Sequence, residues 1–251
     1  MSSARPITAN PDDRGFPPTA WTVLLAACDP AAPETIAARE ELCRAYWRPV
    51  VNYLRALGLN IPDAEDGAQE IMSQLLGKDG LRQFDRARGR LRHYLKSSAR
   101  HHCYNLYRDA QAQKRGGGAA TLSLDEVPES AQGTHEAEPE SVFDREWALT
   151  LCGRAMRQLE ESYARRNKSA LLNQLKPVLI SNEGVQPYAD IGLMFGVSEA
   201  QIRIEVHRMR KRLAEFLRAE AAGTLGPEAS QQEIEEETRY LVKALAHESR
   251  A

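Results

Sequence analysis

The stretch Tyr188–Leu217, YADIGLMFGVSEAQIRIEVHRMRKRLAEFL, constrains this chain more than any other. It reads as two helices joined by a tight turn. Pro187 stands just ahead of the first helix, where a missing N–H costs least. Gly196 can take a left-handed conformation and close the short helix Tyr188–Phe195. Ser198 opens the second helix, and Gln201, three residues on, completes a capping box. Ile202, Val206, Met209, Leu213 and Phe216 then recur at steps of four and three, which makes one apolar face. The other faces carry Gln201, Arg203, His207, Arg208, Arg210, Lys211 and Arg212. Gly192, Gly196 and Ile202 fall at the small, turn and buried positions of a helix-turn-helix, a motif that lays its second helix in the DNA major groove. Two helices and a glycine turn also occur in all-helical proteins that never touch DNA. The basic outer face favours DNA.

A net charge of -2 over 251 residues gives no global sign of nucleic-acid binding, so any such signal is local. The length allows two modest domains, and 42% hydrophobic residues suffice for packed cores. Cys28, Cys43, Cys103 and Cys152 lie far apart without a CxxC, which fits reduced thiols in a cytosol. His101 and His102 flank Cys103, but the second half of a metal site is missing, and they read as polar helix-surface residues. No apolar run reaches membrane-spanning length and no signal pattern opens the chain. A soluble, cytoplasmic, non-enzymatic protein without metal or cofactor is expected.

Residues 1–18 are rich in Pro, Asp, Ser and Gly and read as an extended or disordered arm. A first helical domain spans 19–115. Within it Trp21–Cys28 can start a helix. Glu34 to about Leu57 follows helical periodicity through Leu42, Tyr46, Val50, Tyr53 and Leu57, with a kink or break expected near Trp47–Arg48 because of Pro49. Asp63 can cap a helix running to Leu76, with Ala64, Ala68, Ile71, Met72 and Leu75 inward and Glu65, Asp66, Gln69 and Glu70 outward. An acidic helix start is explained by the macrodipole or by a docking role.

Past Gly80 the charge turns sharply basic. Arg82, Arg86, Arg88, Arg90, Arg92, Lys96, Arg100, Arg108, Lys114 and Arg115 are opposed only by Asp85 and Asp109, with Tyr94, Tyr104 and Tyr107 interleaved. Cations neutralise phosphates and aromatic faces stack on unpaired bases. A solvated basic face is the plainer alternative. Arg90 to about Gln113 reads as one helix with Leu91, Leu95, Ala99 and Leu106 inward. Residues 116–141 are acidic and broken by glycine and proline, an expected flexible linker. A second helical domain spans 142–222, with Trp147, Leu151, Ala155 and Leu159 on one face of its first helix and Leu171, Leu172, Leu175 and Leu179 on its second. Residues 223–251 form an acidic extension with an amphipathic helix, Glu228 to about His247, carrying Ile234, Leu241, Val242 and Leu245. The fold class expected is all-α, two small domains joined by a flexible acidic linker, the second holding the helix-turn-helix.

This ordered set resembles the RNA polymerase sigma factors of the extracytoplasmic-function (ECF) type, and most the long planctomycete-like variant with a C-terminal extension. The matching segments are FPPTAW (Phe16–Trp21), LCRAYWRPV (Leu42–Val50), DAEDGAQEIMSQLL (Asp63–Leu76), DRARGRLRHYL (Asp85–Leu95), AQKRGGG (Ala112–Gly118), LSLDE (Leu122–Glu126), FDREWAL (Phe143–Leu149), LKPVL (Leu175–Leu179), the helix-turn-helix, and EEETRYLVKAL (Glu235–Leu245). The resemblance implies that Asp63, Asp66, Gln69 and Glu70 dock on the clamp helices of the polymerase beta-prime subunit. It implies that Arg86, Arg88, Arg90, Arg92, Tyr94, Lys96, Arg100, Tyr104 and Tyr107 open the minus-ten element and hold its unpaired bases. It implies that the second domain binds the beta flap and reads the minus-thirty-five element through Ser198, Glu199, Gln201, Arg203, His207, Arg208, Lys211 and Arg212. The acidic linker matches a segment threading towards the active-site and RNA-exit channels. An anti-sigma partner is left open.

Three residues depart from the family pattern. Gly67 replaces a larger aliphatic residue inside a helix, at roughly 1 kcal/mol of propensity relative to Ala. Gly192 replaces the usual alanine of the first motif helix. Glu205 lies on the recognition helix, where a carboxylate facing phosphates would repel them. The alternative functions are a stand-alone helix-turn-helix regulator that never joins polymerase and, from a different class, a nuclease-like enzyme built on Glu65, Asp66 and Glu70, which lack a second ligand set.

Overall fold

The computed structural model describes residue 27 and residues 35–77, 91–114, 138–180, 186–225 and 229–246, with only the backbone at 111–114 and 180. Eight helices and no strand occur among the described residues. They are α1 (Thr35–Ala56), α2 (Ile61–Leu76), α3 (Leu91–Lys114), α4 (Pro139–Ala164), α5 (Ser169–Ile180), α6 (Tyr188–Phe195), α7 (Glu199–Leu225) and α8 (Gln231–Ala246). The arm 1–18, most of Trp21–Cys28, the linker through 137 and the loop 181–185 lie outside the described residues.

Helix α1 runs unbroken through Pro49, contrary to the expected break. Pro49 is itself buried, and the side chains around it, Tyr46, Val50 and Tyr53, all enter the core. That packing outweighs the lost backbone hydrogen bond. Helix α2 starts three residues before Ala64. Its cap is Asn60 rather than Asp63: the Asp63 N–H donates to Asn60 Oδ1 at 2.9 Å, and the Asn60 amide donates to the Asp63 carboxylate at 2.8 Å. Such a cap is typically worth about 1 kcal/mol.

Two apolar clusters organise the chain. The first gathers α1, α2 and α3 and also takes Phe143, Trp147, Ala148 and Leu151 of α4, Ala221 of α7 and Leu241 of α8. The second holds Leu159 and Tyr163 of α4 with Leu172, Leu175 and Val178 of α5, Ile191 of α6, and Ile202, Val206 and Met209 of α7. Helices α4 and α7 therefore serve both cores. Residues 139–141, expected in the flexible linker, instead open α4, with Pro139 at its first turn where proline fits. Helix α4 packs on α1, α7 and α8. Arg154 of α4 pins the junction, lying 2.8 Å from Glu41 of α1 and 3.7 Å from Glu220 of α7. Burial raises the Glu220 carboxyl above its ordinary range, and the Arg154 charge opposes that rise.

The inward positions expected from periodicity hold along α2 and α4. On α3, Leu106 is 42% exposed and Cys103 takes the inner place. On α8, Val242 is exposed, and Leu241 is the expected apolar position that is fully buried. Helix α7 continues past the expected stop at Gly223, which is buried within it.

Candidate nucleic-acid interface

Helix α6, its turn and the start of α7 adopt the geometry that their sequence dictates. Gly196 closes α6 with φ of 66°, in the left-handed region. Its N–H bonds back to Leu193, and Val197 N–H reaches Gly192 O at 2.9 Å. The capping box is reciprocal: Ser198 N–H donates to Gln201 Oε1 at 2.8 Å, and Gln201 N–H donates to Ser198 Oγ at 3.3 Å. Gln201 is thus engaged in the cap, with its amide nitrogen still available as a donor. Gly192 has a local reason. A Cβ there would stand 2.6 Å from the Val197 carbonyl oxygen, so even alanine would crowd backbone across the turn.

Ser198, Glu199, Gln201, Arg203, His207, Arg208 and Lys211 are exposed on one end and side of α7. Arg203 is held in place by Glu199 one turn back at 2.5 Å, and its guanidinium lies 5.6 Å from the Tyr188 ring centroid. Two expectations on this helix are corrected. Glu205 does not face outward: it accepts from the Tyr163 hydroxyl at 3.0 Å and lies 3.6 Å from both Lys168 and Arg208. Burial, with the Glu205 carboxylate beside it, pushes the Tyr163 hydroxyl up to about 12. Arg212 likewise turns inward to donate to Ser162 Oγ at 3.2 Å. Helical spacing held the signal, since Glu205 lies three residues after buried Ile202 and four before buried Met209.

Helix α2 presents Asp63, Asp66, Gln69 and Glu70 outward, all exposed. Glu70 accepts from Gln74 at 3.0 Å and sits 3.2 Å from His102 Nδ1. His102 is therefore not a plain surface residue. It lies between α2 and α3, where a Cβ on Gly67 would stand 2.7 Å from its Nε2. Gly67 is the space that admits the imidazole, which explains its departure from the expected aliphatic. Among the described residues no group of three or more His, Cys, Asp or Glu is placed to hold a metal, and no helix is long and apolar enough to cross a membrane.

Helix α3 carries the basic stripe. Arg86, Arg88 and Arg90 lie outside the described residues. Arg92, Lys96 and Arg100 follow at one-turn intervals, and the structure brings a carboxylate to each. Arg92 is buried, bonded to Glu237 of α8 through both terminal nitrogens, the second at 3.3 Å. Its guanidinium lies between the rings of Trp147 and Tyr240, at 5.2 and 4.6 Å. Lys96 pairs with Asp144 of α4 at 2.7 Å and sits over the Phe143 ring. Arg100 pairs with Glu140 of α4 and donates to the Tyr53 hydroxyl at 2.9 Å. Asp144 also accepts from the Tyr240 hydroxyl. Removing one partner of a buried pair such as Arg92–Glu237 typically costs about 3–5 kcal/mol, because the other charge is left buried. Tyr94, Tyr104 and Tyr107 are half-buried along the same helix.

Residues 42–113, which hold α1, α2 and α3, match the family model of Sigma-70 region 2. This part of the chain is similar to a sigma-70 region 2 domain. It supports a sigma-factor role in RNA polymerase binding and promoter recognition, and sigma-70 factors are initiation factors with no catalysis of their own. No curated protein and no solved structure matches the chain. Within the region 2 domain, Cys103 is the buried thiol, and burial pushes it up to about 12. Its reaction with a thiol reagent at neutral pH should be at least about tenfold slower in the folded chain than in urea, measured by mass spectrometry of the labelled peptide.

Sequence reasoning passed over the acidic partners Glu140, Asp144 and Glu237. It also passed over Leu193 and Met194, exposed apolar side chains at the end of α6. Leu193, two residues from the buried Ile191, falls off the apolar stripe, which is the signal that was there to use; Met194, three residues on, carries no such mark.

Proposed function

We propose that this chain is an ECF-type sigma factor that binds core RNA polymerase through α2 and grips promoter DNA at two points. The single observation that carries the reading is the region 2 match over residues 42–113, joined in one chain to a helix–turn–helix with an exposed basic face. The exposed carboxylates Asp63, Asp66 and Glu70, with Gln69, suit the beta-prime clamp helices. The basic, aromatic segment 86–107 suits the opened minus-ten element. On α7, Glu199, Gln201 and Arg203 stand near the helix start, where recognition helices meet base edges, and His207, Arg208 and Lys211 lie along the flanking phosphates. Leu193 and Met194 offer an apolar contact for the beta flap.

The test is reconstitution. The full chain should be captured by core polymerase and direct initiation at a defined start site. Asp66→Lys with Glu70→Lys should abolish capture while leaving the helical content unchanged. Arg203→Ala should weaken upstream-element binding by about 1–3 kcal/mol, seen as lost protection of that element, with core capture intact. Equal loss of both by Arg203→Ala would place the residue outside the DNA contact. Tight duplex binding by the free chain with no core capture would favour a stand-alone regulator instead.

A further inference from the structure

The stripe Arg92, Lys96 and Arg100 is the part of the region 2 domain best suited by charge to follow a DNA strand. In this structure it is the part least able to do so. Three carboxylates, Glu237, Asp144 and Glu140, occupy it in register, one per helical turn. Two come from the start of α4 and one from α8. The Glu237 side chain is fully buried and that of Arg92 nearly so. Tyr240 ties the two sources together: its ring covers Arg92 and its hydroxyl donates to Asp144. Meanwhile Asp63, Asp66, Gln69 and Glu70 on α2 stay exposed. That face is open, whereas on the stripe Arg92 and Lys96 are covered and Arg100 is paired but half-exposed.

Resting on the sigma-factor reading above, we infer that α8 is an intramolecular latch: Glu237, with Asp144 and Glu140, stands where strand phosphates would sit, so the free chain offers its polymerase-docking face while its DNA stripe stays shut. The chemistry is an exchange of anions. Arg92 cannot leave Glu237 without both charges reaching water or a new partner, and a phosphate is that partner for the cation. Opening also swings Tyr240 off Arg92 and frees Asp144 from the tyrosine hydroxyl. DNA and α8 thus compete for Arg92, while DNA and the start of α4 compete for Lys96 and Arg100. Linkage then requires reciprocity: whatever releases α8 tightens DNA binding by the same factor, and DNA loosens α8 by that factor.

The experiment uses the full chain and its Glu237→Ala variant. The probe is a short fluorescein-labelled single-stranded DNA of mixed sequence, titrated by anisotropy over a range of salt. Amide hydrogen exchange of residues 231–246 reports the state of α8. The variant should expose α8 to fast exchange and bind the probe about tenfold more tightly. Its log–log salt dependence should steepen by about 0.7, as Arg92 gains a phosphate. The swapped pair Arg92→Glu with Glu237→Arg should restore protection of α8 and remove the gain. Released α8 with unchanged DNA binding overturns the latch, as does tighter binding with α8 still protected, or an α8 that stays protected with no change in binding. Should Glu237→Ala lose its circular dichroism signal, Glu237→Gln with Tyr240→Phe gives the same readouts with the packing kept. Core capture by the wild-type chain is scored in parallel. Its absence counts against the sigma-factor reading, whereas its presence with an unchanged stripe counts against the latch alone.

Discussion

Trp147→Ala should lower the stability of the whole chain by about 3–5 kcal/mol, in one unfolding transition rather than two. Trp147 sits on α4, but its ring stacks on Tyr46 of α1 at 6.5 Å between centroids and lies under the Arg92 guanidinium of α3. It is 2% exposed, so truncation empties a large space at the meeting of three helices. Two independent domains would each unfold on their own, and this change would touch one of them. A body that shares α4 and α7 between its cores couples them. Urea unfolding followed by circular dichroism at residue-independent wavelengths, together with hydrogen exchange of α5 and α6, checks this. A variant in which α1–α3 loosen while α5–α7 keep their full protection would contradict the coupling.

The second large effect reverses an ordinary rule. Glycine to alanine inside a helix usually gains up to about 1 kcal/mol. Gly192→Ala should instead lose about 1–3 kcal/mol, because the new methyl meets the Val197 carbonyl oxygen at 2.6 Å and neither side of that contact is a movable side chain. The turn would open, Val197 N–H would lose Gly192 O, and α6 would shift against Ile202. Melting of the region that includes α6, followed by hydrogen exchange, should show the loss there first. On the function proposed above, upstream-element binding with core polymerase should fall with it, while core capture persists. A more stable Gly192→Ala protein would show that the turn yields more easily than its backbone geometry implies.

The two helices α6 and α7 and the glycine turn between them were legible in the sequence because they are local. A capping box spans four residues, a left-handed glycine needs only its neighbours, and an apolar stripe follows from spacing. The same holds for α2 and α4, whose buried faces match their periodicity. What was not legible depends on partners far away in the chain. Arg92 reads as a phosphate ligand by type, and only the fold shows that Glu237, 145 residues on, already holds it. An arginine rich in neighbours of like charge carries no mark that tells a nucleic acid from a carboxylate. Gly67 is a similar case: its lack of a side chain reads as a local weakness until His102 of another helix is seen to fill the space. Glu205 is different. Its inward aim followed from its place between Ile202 and Met209, and the charge of the residue obscured the geometry.

Helix α4 also bears on how chains of this kind can be recombined. Its first half, Phe143 to Leu151, belongs to the α1–α3 core, and its last turns, Leu159 and Tyr163, belong to the core beneath α6 and α7. The seam between the two halves of the protein runs through the middle of a helix, not through the acidic segment ahead of it. A chimera joined in that segment would carry Phe143, Trp147 and Leu151 away from the residues they were fitted to. A working exchange of the C-terminal half would have to cut within α4, between Leu151 and Leu159, and keep Arg154 with both Glu41 and Glu220.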